Sequence, residues 1–266
     1  MLFRSNPVFA EILDGVQAEV RKYGFNTMLV TGGDNPALAQ EEIEKLLEFQ
    51  VEGLILISHR LPPQVLATFA GEVPTVVVTR DDSAGSLIDT VKNDDVAGAR
   101  LAVDHLVSLG HRRIFCLSGG DNPVSRLRAQ GYSDAMTAHS LVDDIRVIPG
   151  GLTESSGYKA ADVALEFGPT ALVVANDIAA IGAVAAVENA GRRVPEDVSI
   201  IGYDGISLGA LRRVNLTTIA QPLEQLGRRA AERILGRIAD PLGTVHRDLL
   251  GAELTVRGTT GPAPTS

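Results

Sequence analysis

Residues Pro169–Gly205 read PTALVVANDIAAIGAVAAVENAGRRVPEDVSIIGYDG, and this stretch decides the fold. Ala171-Leu-Val-Val-Ala175 is a continuous apolar run, too short for a helix, and reads as a strand buried on both faces. Asn176-Asp177 stops it, and Asp177 can N-cap the next helix. Ile178 to Ala190 is alanine-rich and free of proline, and Gly191 sits where a helix-terminating glycine belongs. After a turn at Val194-Pro-Glu-Asp197, Val198 to Tyr203 forms a second buried strand that ends at Asp204-Gly205. Strand, helix, strand at this spacing is a right-handed βαβ unit. Asp177 and Asp204 then lie just past the carboxyl ends of neighbouring parallel strands, where open α/β sheets bind ligands.

The same alternation extends outward in both directions. Phe9, Ile12, Leu13, Val16 and Val20 repeat with helical spacing, so a helix is predicted from about Phe9 to Lys22. Asn26–Thr31, Gly53–Ile57 and Thr75–Thr79 read as strands, with a helix after Pro36 and a short one at Leu66–Ala70. Asp81-Asp82 falls in a polar loop. A second series of β/α units begins near Gly110-His-Arg-Arg-Ile114 and includes helices over Ser125–Ala138 and Thr153–Phe167. Thr217–Ile219, a helix from Pro222 to about Ile238, and two short β segments at His246–Leu250 and Glu253–Arg257 close the chain. The expected fold class is α/β, with two doubly wound parallel-sheet lobes and a ligand cleft between them. The lobes are assigned as 1–110 plus about 222–242, and 111–221 plus about 243–258. The Gly/Pro/Ser/Thr-rich residues 259–266 are expected to be a disordered tail.

Composition removes several function classes. The 266 residues carry 33 acidic against 24 basic side chains, a net charge of −9, whereas duplex DNA is held largely by Lys and Arg. The chain as it stands is therefore a poor DNA ligand. The one cysteine, Cys116, lies in an apolar strand pattern and excludes both a disulfide framework and a cysteine-rich zinc site. No apolar run is long enough to cross a bilayer, and MLFRSNPVFAEI lacks a signal-peptide core, so a cytoplasmic location is expected. There is no dinucleotide fingerprint, P-loop or G-x-S-x-G elbow, and the five histidines show no metal-ligand spacing. What remains is a set of polar residues at strand ends: Asn6, Asp94, Arg128, Asn176, Asp177, Asp204 and Gln221. A binding cleft explains such a set without any reaction.

Motifs spread along nearly the whole chain carry a resemblance. They are Asn6-Pro-Val-Phe9-Ala-Glu-Ile12, Val51-Glu-Gly-Leu-Ile55, Asn93-Asp-Asp-Val-Ala-Gly98 running into His105-Leu106, and Gly110-His-Arg-Arg-Ile114 with Gly119-Gly120. Arg126-Leu-Arg128 with Gly131-Tyr132, Ala175-Asn-Asp177, Val194-Pro-Glu-Asp197 through Tyr203-Asp204, and Leu216-Thr-Thr-Ile-Ala-Gln-Pro222 continue the series. In this order and spacing the chain resembles the effector-binding core of the lactose/galactose-repressor family of bacterial transcription regulators. That core shares its fold with periplasmic sugar-binding proteins.

The resemblance implies roles residue by residue. Arg128 reaches into the effector cleft, where its five donors suit sugar hydroxyls or a carboxylate. Asp204 and Asn176 accept hydrogen bonds from effector hydroxyls, and Gln221 sits at a crossover. Asp177 reads equally well as a helix cap or a ligand contact, and Phe9 as a ligand contact or a hydrophobic helix start. Leu152 stands where some family members stack an aromatic on the ligand, and Gly205 where many have a second Asp. Family members begin with a helix-turn-helix headpiece, a hinge and a first strand, and of that strand only Met1–Phe3 has a counterpart here.

The chain is therefore expected to be the effector-binding and dimerisation core of a transcriptional repressor, not an enzyme. Its expected partners are a small-molecule effector, a sugar or sugar derivative, and a second copy of the chain. Operator DNA would be reached only through a headpiece that these residues do not include. No cofactor, metal or membrane is implied. A stand-alone or periplasmic sugar-binding protein of the same fold remains open, and behind it a carbohydrate-active α/β enzyme.

Overall fold

The computed structural model describes residues 6–33, 35–80 and 87–265. Met1–Phe3 and Asp81-Asp82 lie outside the described residues. The chain divides into two compact units, 1–93 with 222–250 and 94–221 with 251–266.

The first unit is a four-stranded parallel sheet in the order β1 (Leu54–Ile57), β2 (Thr75–Val78), β3 (Asp89–Asn93), β9 (Arg247–Leu250). β2 is TVVV and buried throughout, because helices cover both of its faces. Ile43 and Leu46 of α2 (Pro36–Glu48) and Leu66 and Phe69 of α3 (Pro63–Glu72) pack on one side. On the other side lie α1 (Pro7–Val20) and α8 (Leu223–Ala239), whose Val16, Val20 and Ala231 share a cluster with Ile55. These two helices cross backbone to backbone: a Cβ on Gly227 would sit 2.0 Å from the Ile12 carbonyl oxygen. Glycine is the residue that permits such an approach.

One buried charge organises the far end of α8. Arg237 and Asp89 are 4% and 1% exposed. Arg237 Nε and Nη2 donate to the two Asp89 oxygens at 3.0 and 2.8 Å. Its remaining three hydrogens go to the carbonyls of Pro241, Gly243 and Thr244 at 3.3, 2.9 and 3.1 Å. All five donors are used. The pair thereby folds the turn after α8 so that β9 can align beside β3.

The second unit is a six-stranded sheet ordered β10 (Glu253–Thr255), β8 (Thr217–Ala220), β7 (Ser199–Asp204), β6 (Ala171–Val174), β4 (Ile114–Leu117), β5 (Val147–Ile148). Only β10 runs antiparallel. Alternate residues of β6 serve two separate cores. Leu172 and Val174 pack with α6 (Glu154–Leu165) and α7 (Asp177–Asn189), while Ala171 and Val173 pack with α4 (Asp95–Ser108) and α5 (Pro123–Ala138). A run of apolar residues without alternation is what two covered faces require.

Four expectations need correction. Asn26–Thr31 is not a strand, since no described strand pairs with it, and Met28 and Leu29 are exposed. The unit boundary falls at 93/94 rather than 110, because Ala102, Val103 and Leu106 of α4 belong to the core of the second unit. The segment His246–Leu250, expected in the second lobe, instead extends the first sheet by pairing with β3. Residues 259–265 are ordered, because their polar groups replace missing sheet partners. Ile200 N–H donates to the Thr259 carbonyl at 2.7 Å, and the buried His111 ring lies 3.0 Å from the Gly261 carbonyl. Ala263 N–H adds a bond to Leu109 O at 2.9 Å.

Breaking the Arg237–Asp89 pair from one side should be severe. Asp89→Ala leaves a buried guanidinium unpaired and is expected to lower the unfolding free energy by about 3–5 kcal/mol in urea titration. Asp89→Ala with Arg237→Met should recover part of that loss. Equal stability of Asp89→Ala and the wild type would show that the pair does not hold this unit together.

Candidate functional site

The carboxyl ends of β6 and β7 meet the start of α5 at Arg128. This residue is 9% exposed, so its charge must be compensated by protein groups. Nε donates to Asp95 Oδ1 at 2.8 Å. Nη1 donates to the Ala175 carbonyl at 2.6 Å and to Asp204 Oδ1 at 3.2 Å. The guanidinium stacks on the Tyr203 ring, 3.6 Å from its centroid. Burial opposes its charge, and the carboxylates of Asp95 and Asp204 more than offset that, so its pKa is raised. The two Nη2 hydrogens have no acceptor among the described residues.

Asp204 ends β7 with φ 113°, a conformation sparsely populated by any residue other than glycine. Its Oδ1 also accepts from Gln221 Nε2 at 2.7 Å, and Gln221 N–H donates to the Asp204 carbonyl at 3.0 Å. Asp204 Oδ2 has no partner among the described residues. Burial pushes its carboxyl up to about 6, against the pull of Arg128 and Gln221.

The turn after β7 is held by Asp177. Its Oδ2 accepts from the N–H groups of Gly205 and Ile206, both at 2.9 Å, and its Oδ1 from Thr218 Oγ1 at 2.6 Å. Gly205, at φ 79°, lies so close to Ala220 that a Cβ would come within 2.6 Å of its methyl. Asp177 is fully buried, and burial followed by the nearby Asp204 carboxylate pushes it up to about 7, partly offset by its three donors.

Asn176, not Asp177, is the N-cap of α7: its Oδ1 accepts from Ala179 N–H at 2.9 Å. Its Nδ2 donates to the Leu152 carbonyl at 3.1 Å, tying the half-buried Leu152 to the same strand end. Asp94 caps α4 by accepting from Ala97 N–H at 2.9 Å.

The sequence-derived residues thus separate into groups. Arg128, Asp204 and Gln221 form one hydrogen-bonded set, with Asp177 and Asn176 behind it as supports of the turn and of Leu152. Asp94 faces its own helix end. Asn6 and Phe9 belong to the first unit, where Asn6 caps α1 by accepting from Val8 N–H at 3.1 Å and Phe9 is half-buried.

Two members of the Arg128 set are missing from the residues nominated by sequence. Asp95 stands directly beside the nominated Asp94, and Tyr203 is hidden within an apolar strand pattern. The signal for Tyr203 is Gly98, where a Cβ would come within 2.2 Å of the Tyr203 hydroxyl. In the first unit, polar residues come after each apolar strand: Ser58 and His59 after β1, Thr79 and Arg80 after β2, and Asn93 ending β3. Ser58 and Thr79 have φ of 52° and 75°, and Arg80 Nη1 donates to the His59 carbonyl. Thr79 Oγ1 is buried without a partner among the described residues.

Asp177 makes the stability of the second unit pH-dependent. A carboxyl raised on folding contributes stability that is complete below its unfolded value near 3.8 and is lost as pH rises through about 7. Asp177→Asn keeps the shape and removes the titration. Its melting temperature should therefore fall less steeply than the wild type's between pH 4.5 and 7.5. Parallel pH profiles for the two proteins would show that Asp177 is not raised.

Comparison with known proteins bears on this geometry. Residues 103–260 match the family described as periplasmic binding protein-like domain. The chain is 33% identical over 267 residues to the HTH-type transcriptional repressor CytR of Escherichia coli K12, covering 97% of this chain and 77% of that protein. Among solved structures, a LacI transcriptional regulator from a Rhodococcus species matches with a TM-score of 0.92 at 32% identity, over 98% of this chain and 97% of that one. A LacI family regulator from Enterococcus faecium with bound ribose matches with a TM-score of 0.88 at 29% identity, over 97% and 96%.

Proposed function

Since the chain belongs to the periplasmic binding protein-like family, within the LacI-family regulators, we propose that it is the effector-binding and dimerisation core of a transcriptional repressor that senses a sugar or sugar derivative. One observation carries the ligand class. Arg128 Nη2 and Asp204 Oδ2 are a donor and an acceptor of this network left without a partner among the described residues. A hydroxyl both accepts and donates, so adjacent sugar hydroxyls can use the two atoms together.

Arg128, Asp204 and Gln221 contact the effector, with Leu152 as an apolar wall. Asn6, Phe9 and Asp94 are the further contacts that the family resemblance implies. Asn176 and Asp177 act by holding the loop that presents Asp204. The effector biases a homodimer between two arrangements by binding one better than the other. Operator DNA would be engaged through a helix-turn-helix part of the kind for which the HTH-type relatives are named. The chain works without catalysis, and its location is the cytoplasm. No helix among the described residues is long and apolar enough to cross a membrane.

A thermal-shift screen with ribose, other monosaccharides and cellobiose tests this reading, because a bound ligand raises Tm. At least one sugar is expected to stabilise the chain. Asp204→Asn, which keeps an acceptor for Arg128 and Gln221 but replaces the free oxygen by a donor, should weaken that sugar by about tenfold or more. Arg128→Ala should also abolish binding, but it strands two buried carboxylates and will cost stability, which makes Asp204→Asn the cleaner variant. No response to any sugar, or unchanged affinity in Asp204→Asn, would refute the assignment.

A further inference from the structure

The Arg128 guanidinium has two edges that could grip an anion with paired N–H groups, and both are half occupied by the protein. On the Nε/Nη2 edge, Asp95 already takes Nε at 2.8 Å. On the Nη1/Nη2 edge, Ala175 O and Asp204 Oδ1 take both Nη1 hydrogens. Phosphate and carboxylate groups are best held by two parallel N–H donors. Arg128 can offer an incoming group only Nη2, a one-centre contact that suits a hydroxyl.

Charge acts in the same direction. Asp95 and Asp204 have side chains 4% and 5% exposed and face one guanidinium, so the trio carries a formal charge of −1. In a buried setting this charge is poorly screened. Asp204 is the group offered to effector hydroxyls. Asp95 meets Arg128 from the Nε side, opposite the Nη1 hydrogens that Asp204 and Ala175 take.

We propose that Asp95 is a specificity-determining residue, which occupies Arg128 Nε and adds a second carboxylate so that the site rejects anionic ligands such as phosphorylated sugars in favour of neutral polyhydroxyl ones. The proposal rests on the sugar-binding reading above and narrows it to uncharged effectors.

The test compares the wild type with Asp95→Asn, Asp95→Ala and Asp95→Glu by calorimetry and thermal shift at constant ionic strength. The probes are D-ribose, D-ribose 5-phosphate and inorganic phosphate. Asparagine keeps an acceptor for Nε and removes one negative charge. The ratio of ribose 5-phosphate to ribose affinity should rise by about tenfold or more in Asp95→Asn. It should rise further in Asp95→Ala, where Nε is freed, and return toward the wild-type value in Asp95→Glu. A residue that only supported the fold would weaken both sugars alike and leave the ratio unmoved.

Inorganic phosphate gives a second readout that needs no sugar affinity: it should raise the Tm of Asp95→Asn and Asp95→Ala but not of the wild type. If the wild type binds neither ribose compound, the sugar reading loses this ligand, and the phosphate arm alone decides the role of Asp95. A wild type that binds ribose 5-phosphate as tightly as ribose, or variants with unchanged ratio and no phosphate response, would overturn the proposal.

Discussion

A buried guanidinium must be neutralised where it stands, and each compact unit is arranged around one. Removing such a charge from water costs several kcal/mol after relaxation, which only close carboxylates and saturated hydrogen bonding offset. In the first unit Arg237 commits all five hydrogens to Asp89 and three carbonyls. In the second unit Arg128 commits three and keeps two. Both side chains are buried, so burial does not distinguish them. Donor saturation does: Arg237 has no hydrogen left to give, and Arg128 keeps the two that its proposed effector contact requires.

The strand end at Asp204 follows from the same need to satisfy polar groups. A left-handed conformation at a non-glycine residue persists only where its surroundings over-determine it. Gln221 fixes Asp204 from one side, and the Gly205 and Ile206 N–H groups are tied to Asp177 on the other. Asp177 therefore fixes the backbone that aims a different carboxylate, and under the proposed function its part in binding is indirect. That explains why two aspartates in matching places, each just past a parallel strand, have different roles.

Much of this was legible in the sequence. The βαβ unit at Pro169–Gly205 announced itself because strands covered on both faces must be apolar at every position, as ALVV of β6 is. Arg128, Asp204 and Gln221 could be nominated as polar residues ending apolar runs. The choice between neighbours could not, because it depends on helix phase: Asp94 caps α4, and one residue later Asp95 points to Arg128. Asn26–Thr31 has strand composition, yet a strand exists only with a partner, and pairing is not written in the segment itself. Residues 259–265 misled by composition, since glycine, proline and threonine suit a loose tail as well as a tail whose hydroxyls complete buried hydrogen bonds.

That final segment also has a bearing on synthesis. β9 is the outer strand of the first sheet and β10 that of the second, while Thr259 and Gly261 satisfy groups on β7 and on His111, just ahead of β4. Each sheet thus receives its edge member only after nearly all of its other strands have left the ribosome. Contacts between residues so far apart in sequence are slow to form. Neither unit can complete on its own early in translation, so the nascent chain carries two unfinished sheets with open edges until β9 and β10 are made, which is when it most needs protection from its neighbours.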